Sequence, residues 1–184
     1  MKTLLCVSMI SLLAAAPVSA QHDMHAKAAP APSGPTASGQ YAFATISEIA
    51  GILKADATTD WSKVNIEALR QHLIDMDDVI LRAAVTTRAV AGGLELSITG
   101  TGRTAAAIRR MVGSHAHVLD EHSGFKPIVK DIAGGVRLTV TAKDRSNAAT
   151  VAMIRGLGFA GIMVEGDHHA EHHLMMARGQ SMGH

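Results

Sequence analysis

The feature that most constrains how this chain folds is an internal duplication. VAGGLELSITGTGRTAAAIRRM (90–111) aligns without a gap on IAGGVRLTVTAKDRSNAATVAM (132–153), an offset of 42 residues. In both copies apolar residues alternate with polar ones. Leu94, Leu96 and Ile98 stand against Glu95, Ser97 and Thr99, and Val136, Leu138 and Val140 against Arg137, Thr139 and Thr141. A period of two is that of an antiparallel strand with one buried face. Each run follows Ala-Gly-Gly (91–93 and 133–135), and Gly supplies the positive φ of a tight hairpin turn. Two copies are too few for a solenoid. They predict two hairpin–helix units sharing one antiparallel sheet, with Thr104 and Ser146 as helix N-caps. The expected fold is α+β, a two-layer sandwich with helices on the Leu/Ile/Val face. Whether the repeats pair within one chain or across a homodimer is open at this level.

Two helices are expected ahead of the repeat. Ala42, Ile46, Ile49, Ala50 and Leu53 recur at helical spacing, and Thr45-x-x-Glu48 has the form of a capping box. Ile66, Leu69, Leu73 and Met76 make a second stripe, after the turn-prone Thr58-Thr59-Asp60. Residues 21–40 are rich in Ala, Pro, Gly and Ser and read as a disordered leader. Residues 1–20 read as a secretory signal peptide: Lys2 is the basic start, Leu4 to Ala16 the apolar run, and Val18-Ser19-Ala20 the cleavage site. That run is too short to span a bilayer, and no later one approaches the roughly 18 apolar residues required. The expected plan is signal peptide 1–20, leader 21–40, α+β domain 41–166 and a His/Met-rich helix and tail 167–184. The expected location is periplasmic or secreted.

Removing residues 1–20 takes away the only Cys, Cys6. The exported chain then has no disulfide and no thiolate ligand, and its stability rests on a packed core. With 17 Lys+Arg against 16 Asp+Glu the net charge is +1, so no basic field exists to hold nucleic acid. The unusual numbers are 11 His and 10 Met beside three Phe, one Trp and one Tyr. Any soft-metal site here must be built from Met and His.

The His are not evenly spread: five lie in DHHAEHHLMMARGQSMGH, Asp167 to His184. On a helix, His168/His172 and His169/His173 are i,i+4 pairs, and such a pair offers two nitrogens to one ion. Met175 and Met176 follow within a turn and add thioether donors, which favour Cu(I), whereas imidazole suits Zn(II), Cu(II) and Ni(II). Asp167 and Glu171 are oxygen ligands or orienting partners in reach of these rings. In the leader, His22, Met24 and His25 repeat the same donor types. Cleavage after Ala20 would make His22 the second residue, so that amine, amide and imidazole suit square-planar Cu(II). The ligand expected is therefore copper, with zinc the alternative. The expected role is a metal buffer or carrier rather than an enzyme.

Other readings stand beside this one. His115, His117 and His122 follow the first repeat's helix. Cationic His near a helix C-terminus is favourable through the dipole alone, so these are read as a solvated helix end. His72, beside Leu73, is read as structural. His168-His169-Ala170-Glu171-His172 fits the H-x-x-E-H pattern of inverted zinc peptidases, but that pattern is short and His-rich runs produce it easily. No nucleophile elbow, P-loop or dinucleotide fingerprint is present. The remaining alternative is a non-catalytic envelope interaction domain with solvated or pH-responsive His, for which Trp61 is an anchor candidate.

The stretch DWSKVNIEALRQHLIDM (60–76), with GLGFAGIMVEGDHHAEHHLMMARG (156–179), resembles a group of small secreted bacterial proteins. These share the helix, a duplicated hairpin–helix middle and a closing H-H-x-x-H-H-L-M run. The resemblance implies export and a role for the tail, and it supplies no activity.

Overall fold

A hydrophobic run with Gly at its start can pair closely with a second copy of itself, and the two repeats do so. The structure is a computed structural model that describes residues 40–166 and 169–180. Its elements are α1 Tyr41–Ala55, α2 Ile66–Arg82, β1 Ala84–Val90, β2 Gly93–Thr99, α3 Gly102–His122, β3 Phe125–Ile132, β4 Gly135–Ala142, α4 Ala148–Ile162 and α5 His169–Ala177. The four strands form one antiparallel sheet in the order β1-β2-β4-β3. The expected α+β fold, with two helices ahead of the strands, is what the chain adopts. No described helix is long and apolar enough to cross a membrane.

At the centre of the sheet β2 pairs with β4, and Leu96 lies opposite its own repeat equivalent, Leu138. The register is symmetric about that pair: Gly93 faces Thr141, and Gly135 faces Thr99. Two backbone bonds of 2.9 Å obey the same symmetry, Gly100 N–H to Gly134 O and Ala142 N–H to Gly92 O. The repeats therefore meet as a C2 dimer does, through one self-complementary edge, but inside a single chain. The close approach depends on Gly93 and Gly135. A Cβ there would lie 1.9 Å from the Val140 oxygen and 2.0 Å from the Ile98 oxygen, respectively.

The apolar face of this sheet carries Leu94, Leu96, Ile98, Val136, Leu138 and Val140, all buried. Full burial of such a side chain contributes about 1.5–3 kcal/mol. It is covered by α3 and α4, each of which reaches the outer strand of the other repeat: α3 packs on β3 and β4, α4 on β1, β2 and β4. Outside this sandwich, α2 lies on α3. There Arg103 binds Asp78 (2.9 Å) and Asp75 (3.2 Å), and Arg110 binds Asp75 (2.7 Å). A second core joins α1, α2 and α5 through Ile49, Leu53, Leu69, Leu73 and Ala177. The segment that the sequence set apart as 167–184 thus contributes α5 to a shared core. Its C-terminus is tied down by Asn65 N–H to Ala177 O (2.8 Å) and Arg178 to Asp56 (3.1 Å).

Several local expectations are corrected. Thr45 and Glu48 lie inside α1, which begins at Tyr41, so they form no capping box. The cap of α2 is Asn65, whose side chain accepts from Ala68 N–H. Thr104 sits within the first turn of α3, whose N-cap is Thr101. Ser146 is engaged by Asp144 (Oγ to Oδ1, 2.6 Å), and the neighbouring Asn147 caps α4 through Thr150 N–H. At α4 two short polar side chains compete for the same orphan amides, and a one-residue difference decides which one wins; Thr101 makes no side-chain cap bond. Trp61 is exposed, at 54% of its full surface.

Replacing Gly93 or Gly135 by Ala forces a methyl into a carbonyl of the partner strand. Each change should destabilise by about 2–3 kcal/mol. Urea unfolding checks this, as a lower midpoint with the slope unchanged.

Candidate metal site

The His and Met positions converge where α2, α3 and α5 meet. Residues 68, 71, 72 and 75 share one face of α2, and 110, 111, 114, 115 and 118 one face of α3. Between these faces lies a cavity of about 450 Å³. Four imidazoles line it: His72 from α2, His115 from α3, and His169 and His172 from α5. Three thioethers join them: Met111, Met163 and Met176. The spacing 169, 172, 176 puts those three α5 side chains on the cavity side. His173 turns instead toward α2 and is buried, its Nε2–H donating to the Met76 sulfur at 3.4 Å. Asp75, the carboxylate in the lining, is already held by Arg103 and Arg110.

The rings form one run of contacts from His72 through α5 to His115. His72 lies 4.7 Å from His172 and 5.4 Å from His173 between ring centroids, and His172 and His173 are 6.4 Å apart. His169 lies 6.1 Å from His115 and 6.4 Å from His173, so it links His115 to the other rings. Two imidazoles on one ion have centroids about 5–6 Å apart, given metal–nitrogen bonds of about 2.0–2.1 Å. The observed spacings fall in or near that range. Yet among the described residues no three His, Cys, Asp or Glu side chains already surround a common point. Ligation therefore requires rotation of rings that now pack edge to face.

Burial disfavours the charged form of His72, His115 and His173. It is the largest cause pushing the His72 imidazole down to about 4, aided by the charges that His172 and His173 would carry and opposed by Asp75. Burial, with His169 and His172, holds His173 at about 4 as well. His115 is lowered by burial and by His169, against a hydrogen bond to the Ile162 carbonyl that raises it. That carbonyl accepts from His115 Nε2 at 2.7 Å, so the neutral ring carries its lone pair on Nδ1. Neutral imidazole is the ligating form. The His72 Nε2 atom is buried and has no hydrogen-bond partner among the described residues. An unsatisfied buried polar atom costs about 1–3 kcal/mol, and a Leu at this place would avoid that cost.

No family model, curated protein or solved structure matches this chain.

The sequence-derived site residues are placed unevenly. His169, His172 and Met176 line the cavity, His173 lies behind it, and Met175 is half-buried outside the lining. Glu171 is exposed and outside the lining. His168, His22, Met24 and His25 lie outside the described residues, as does the His122 side chain. The reading of His115 as part of a solvated helix end is overturned: it is buried, because α3 runs on past it and the end of α4 covers it. His72, read as structural, borders the cavity between the rings of α5. For His115 the one available signal was the contrast with Leu157 at the same place in the second repeat.

The lowered His72 and His173 values carry a sign. Above about pH 6.5 both folded and unfolded chains are neutral at these rings. Between about 6.5 and about 4 the unfolded chain takes up protons that the folded cluster refuses, so stability falls as pH falls. Thermal unfolding of metal-free protein across this window checks it. The slope should be clearly shallower in a His72→Gln/His173→Gln double variant.

Proposed function

We propose that this protein is an exported metal-binding protein, a buffer or carrier for copper, with zinc as the alternative ion. The observation that carries the reading is the meeting of His72, from α2, with His172 and His173, from α5, at 4.7 and 5.4 Å. His72 is about a hundred residues from the other two in the chain, all three rings are half-buried or buried, and burial holds His72 and His173 neutral at pH 7. Aliphatic side chains would fill the same space without an unsatisfied nitrogen, so packing alone gives no reason for an imidazole trio. The chemistry available is neutral nitrogen donation, with the Met176 thioether beside it. Export is part of the proposal and rests on residues 1–20. His22, Met24 and His25 add a secondary donor group on sequence grounds.

Metal capture by this trio would cross-link α5 to α2, so binding energy becomes folding energy. Affinity should fall steeply as the pH approaches about 4, where protons compete for the His72 and His173 imidazoles. The test is metal analysis and titration of protein purified without an affinity tag. The expected result is Zn(II) or Cu(II) bound at fixed stoichiometry and a raised unfolding temperature, about 2.7 kcal/mol of added stability at a hundredfold excess over Kd. Replacing His72 and His172 together by Ala should lower affinity by at least a hundredfold. Wild-type affinity no tighter than micromolar, or unchanged binding in that variant, overturns the reading.

A further inference from the structure

The other half of the cluster differs in donor type. A second cavity of about 310 Å³ adjoins the first, with walls that include Val79, Ile80, Leu81 and Val164. Three residues line both cavities: Met111, Met163 and His169. His115 stands next to them, one helical turn after Met111 on α3 and 6.1 Å from the His169 ring. Its Nε2–H is anchored on the carbonyl of Ile162, the residue before Met163. One hydrogen bond thus sets the ring and the start of the segment that carries the sulfur. The anchor also assigns the lone pair to Nδ1, as a backbone carbonyl does for a metal-bound imidazole.

From this placement we infer a second metal site, built by Met111, His115, Met163 and His169 and selective for Cu(I). It rests on the metal-binding reading above but concerns different residues and a different ion. Two thioethers and two imidazoles are a soft, neutral donor set. The cost of desolvating an ion rises with the square of its charge, and these donors bring no negative charge to offset it. The walls around them are mostly apolar; of the two carboxylates that border the cavities, Asp75 is committed to Arg103 and Arg110, and Asp77 is hydrogen-bonded to Tyr41. A monovalent soft ion fits such a place, and a divalent one is better served by the imidazole trio, nearer to Asp75. Met as core filler explains burial of Met163. It does not explain why both sulfur-bearing side chains border open space beside two imidazoles.

The experiment compares wild-type protein with a Met111→Leu/Met163→Leu double variant, which conserves core volume. Cu(I) affinity is measured anaerobically by competition with a chromophoric Cu(I) chelator, and Zn(II) affinity is measured in parallel. The expected result is at least a hundredfold loss of Cu(I) affinity with Zn(II) affinity unchanged. Cu(I) affinity within threefold of wild type overturns the soft site while leaving the imidazole trio standing. Equal losses of both ions also overturn it, since the two sites would then be one. Wild-type protein that binds neither ion removes both proposals. If the variant fails to fold, X-ray absorption of Cu(I)-loaded Met76→Leu/Met176→Leu protein, which lacks the thioethers beside the trio, decides: sulfur in the first shell supports the site, and a shell of nitrogen and oxygen alone overturns it.

Discussion

The antiparallel pairing of β2 with β4 is the contact from which the rest of the molecule is arranged. Because Leu96 faces Leu138, the two repeats are related by a two-fold axis through the middle of the sheet. That axis puts both apolar strand faces on one side and brings α3 and α4 down on them together. It also sends each helix across to the other repeat's outer strand, so neither repeat buries its core alone. The pairing tolerates no side chain at Gly93 or Gly135, because each of these residues lies against a carbonyl of the opposite strand.

The candidate site occupies the place where this symmetry fails. In the first repeat α3 runs unbroken for 21 residues, and His115 lies on its buried face. In the second, α4 is interrupted at Gly158, whose φ of 57° and ψ of −158° leave the helical region. The chain then bends past Ile162 and Met163 toward α5. Arg103 and its equivalent Arg145 diverge in the same sense. Arg103 docks α2 through Asp75 and Asp78, and Arg145 packs against Gly92 instead. One repeat thus acquires an outer layer of helices and a cavity beneath it.

Much of this was legible in the chain itself. The period-two runs and Ala-Gly-Gly turns placed both hairpins, and the helical stripes at Ile49/Leu53 and Leu69/Leu73 placed α1 and α2 and their buried faces. The caps were less legible: Asn147 sits beside Ser146, and Thr101 lies three residues before Thr104, and only local backbone geometry separates the members of each pair. For the site, the clustering of His and Met near the C-terminus marked His169, His172, His173 and Met176. It carried no sign of His72 or His115. A single His on an amphipathic helix looks the same whether it meets solvent, a core or another imidazole.

Composition and order of residues were enough to determine the duplication, the α+β architecture, the lack of a thiol in residues 21–184 and the net charge of +1. These depend on local period and on counting. Tertiary structure decided which donors share a space. α5 carries imidazoles on adjacent faces, and its docking against α1 and α2, secured by Asn65 and Asp56, turned His169 and His172 to the cavity and His173 toward Met76. That orientation depends on buried contacts with residues about a hundred positions away, and no local pattern in 167–184 encodes it.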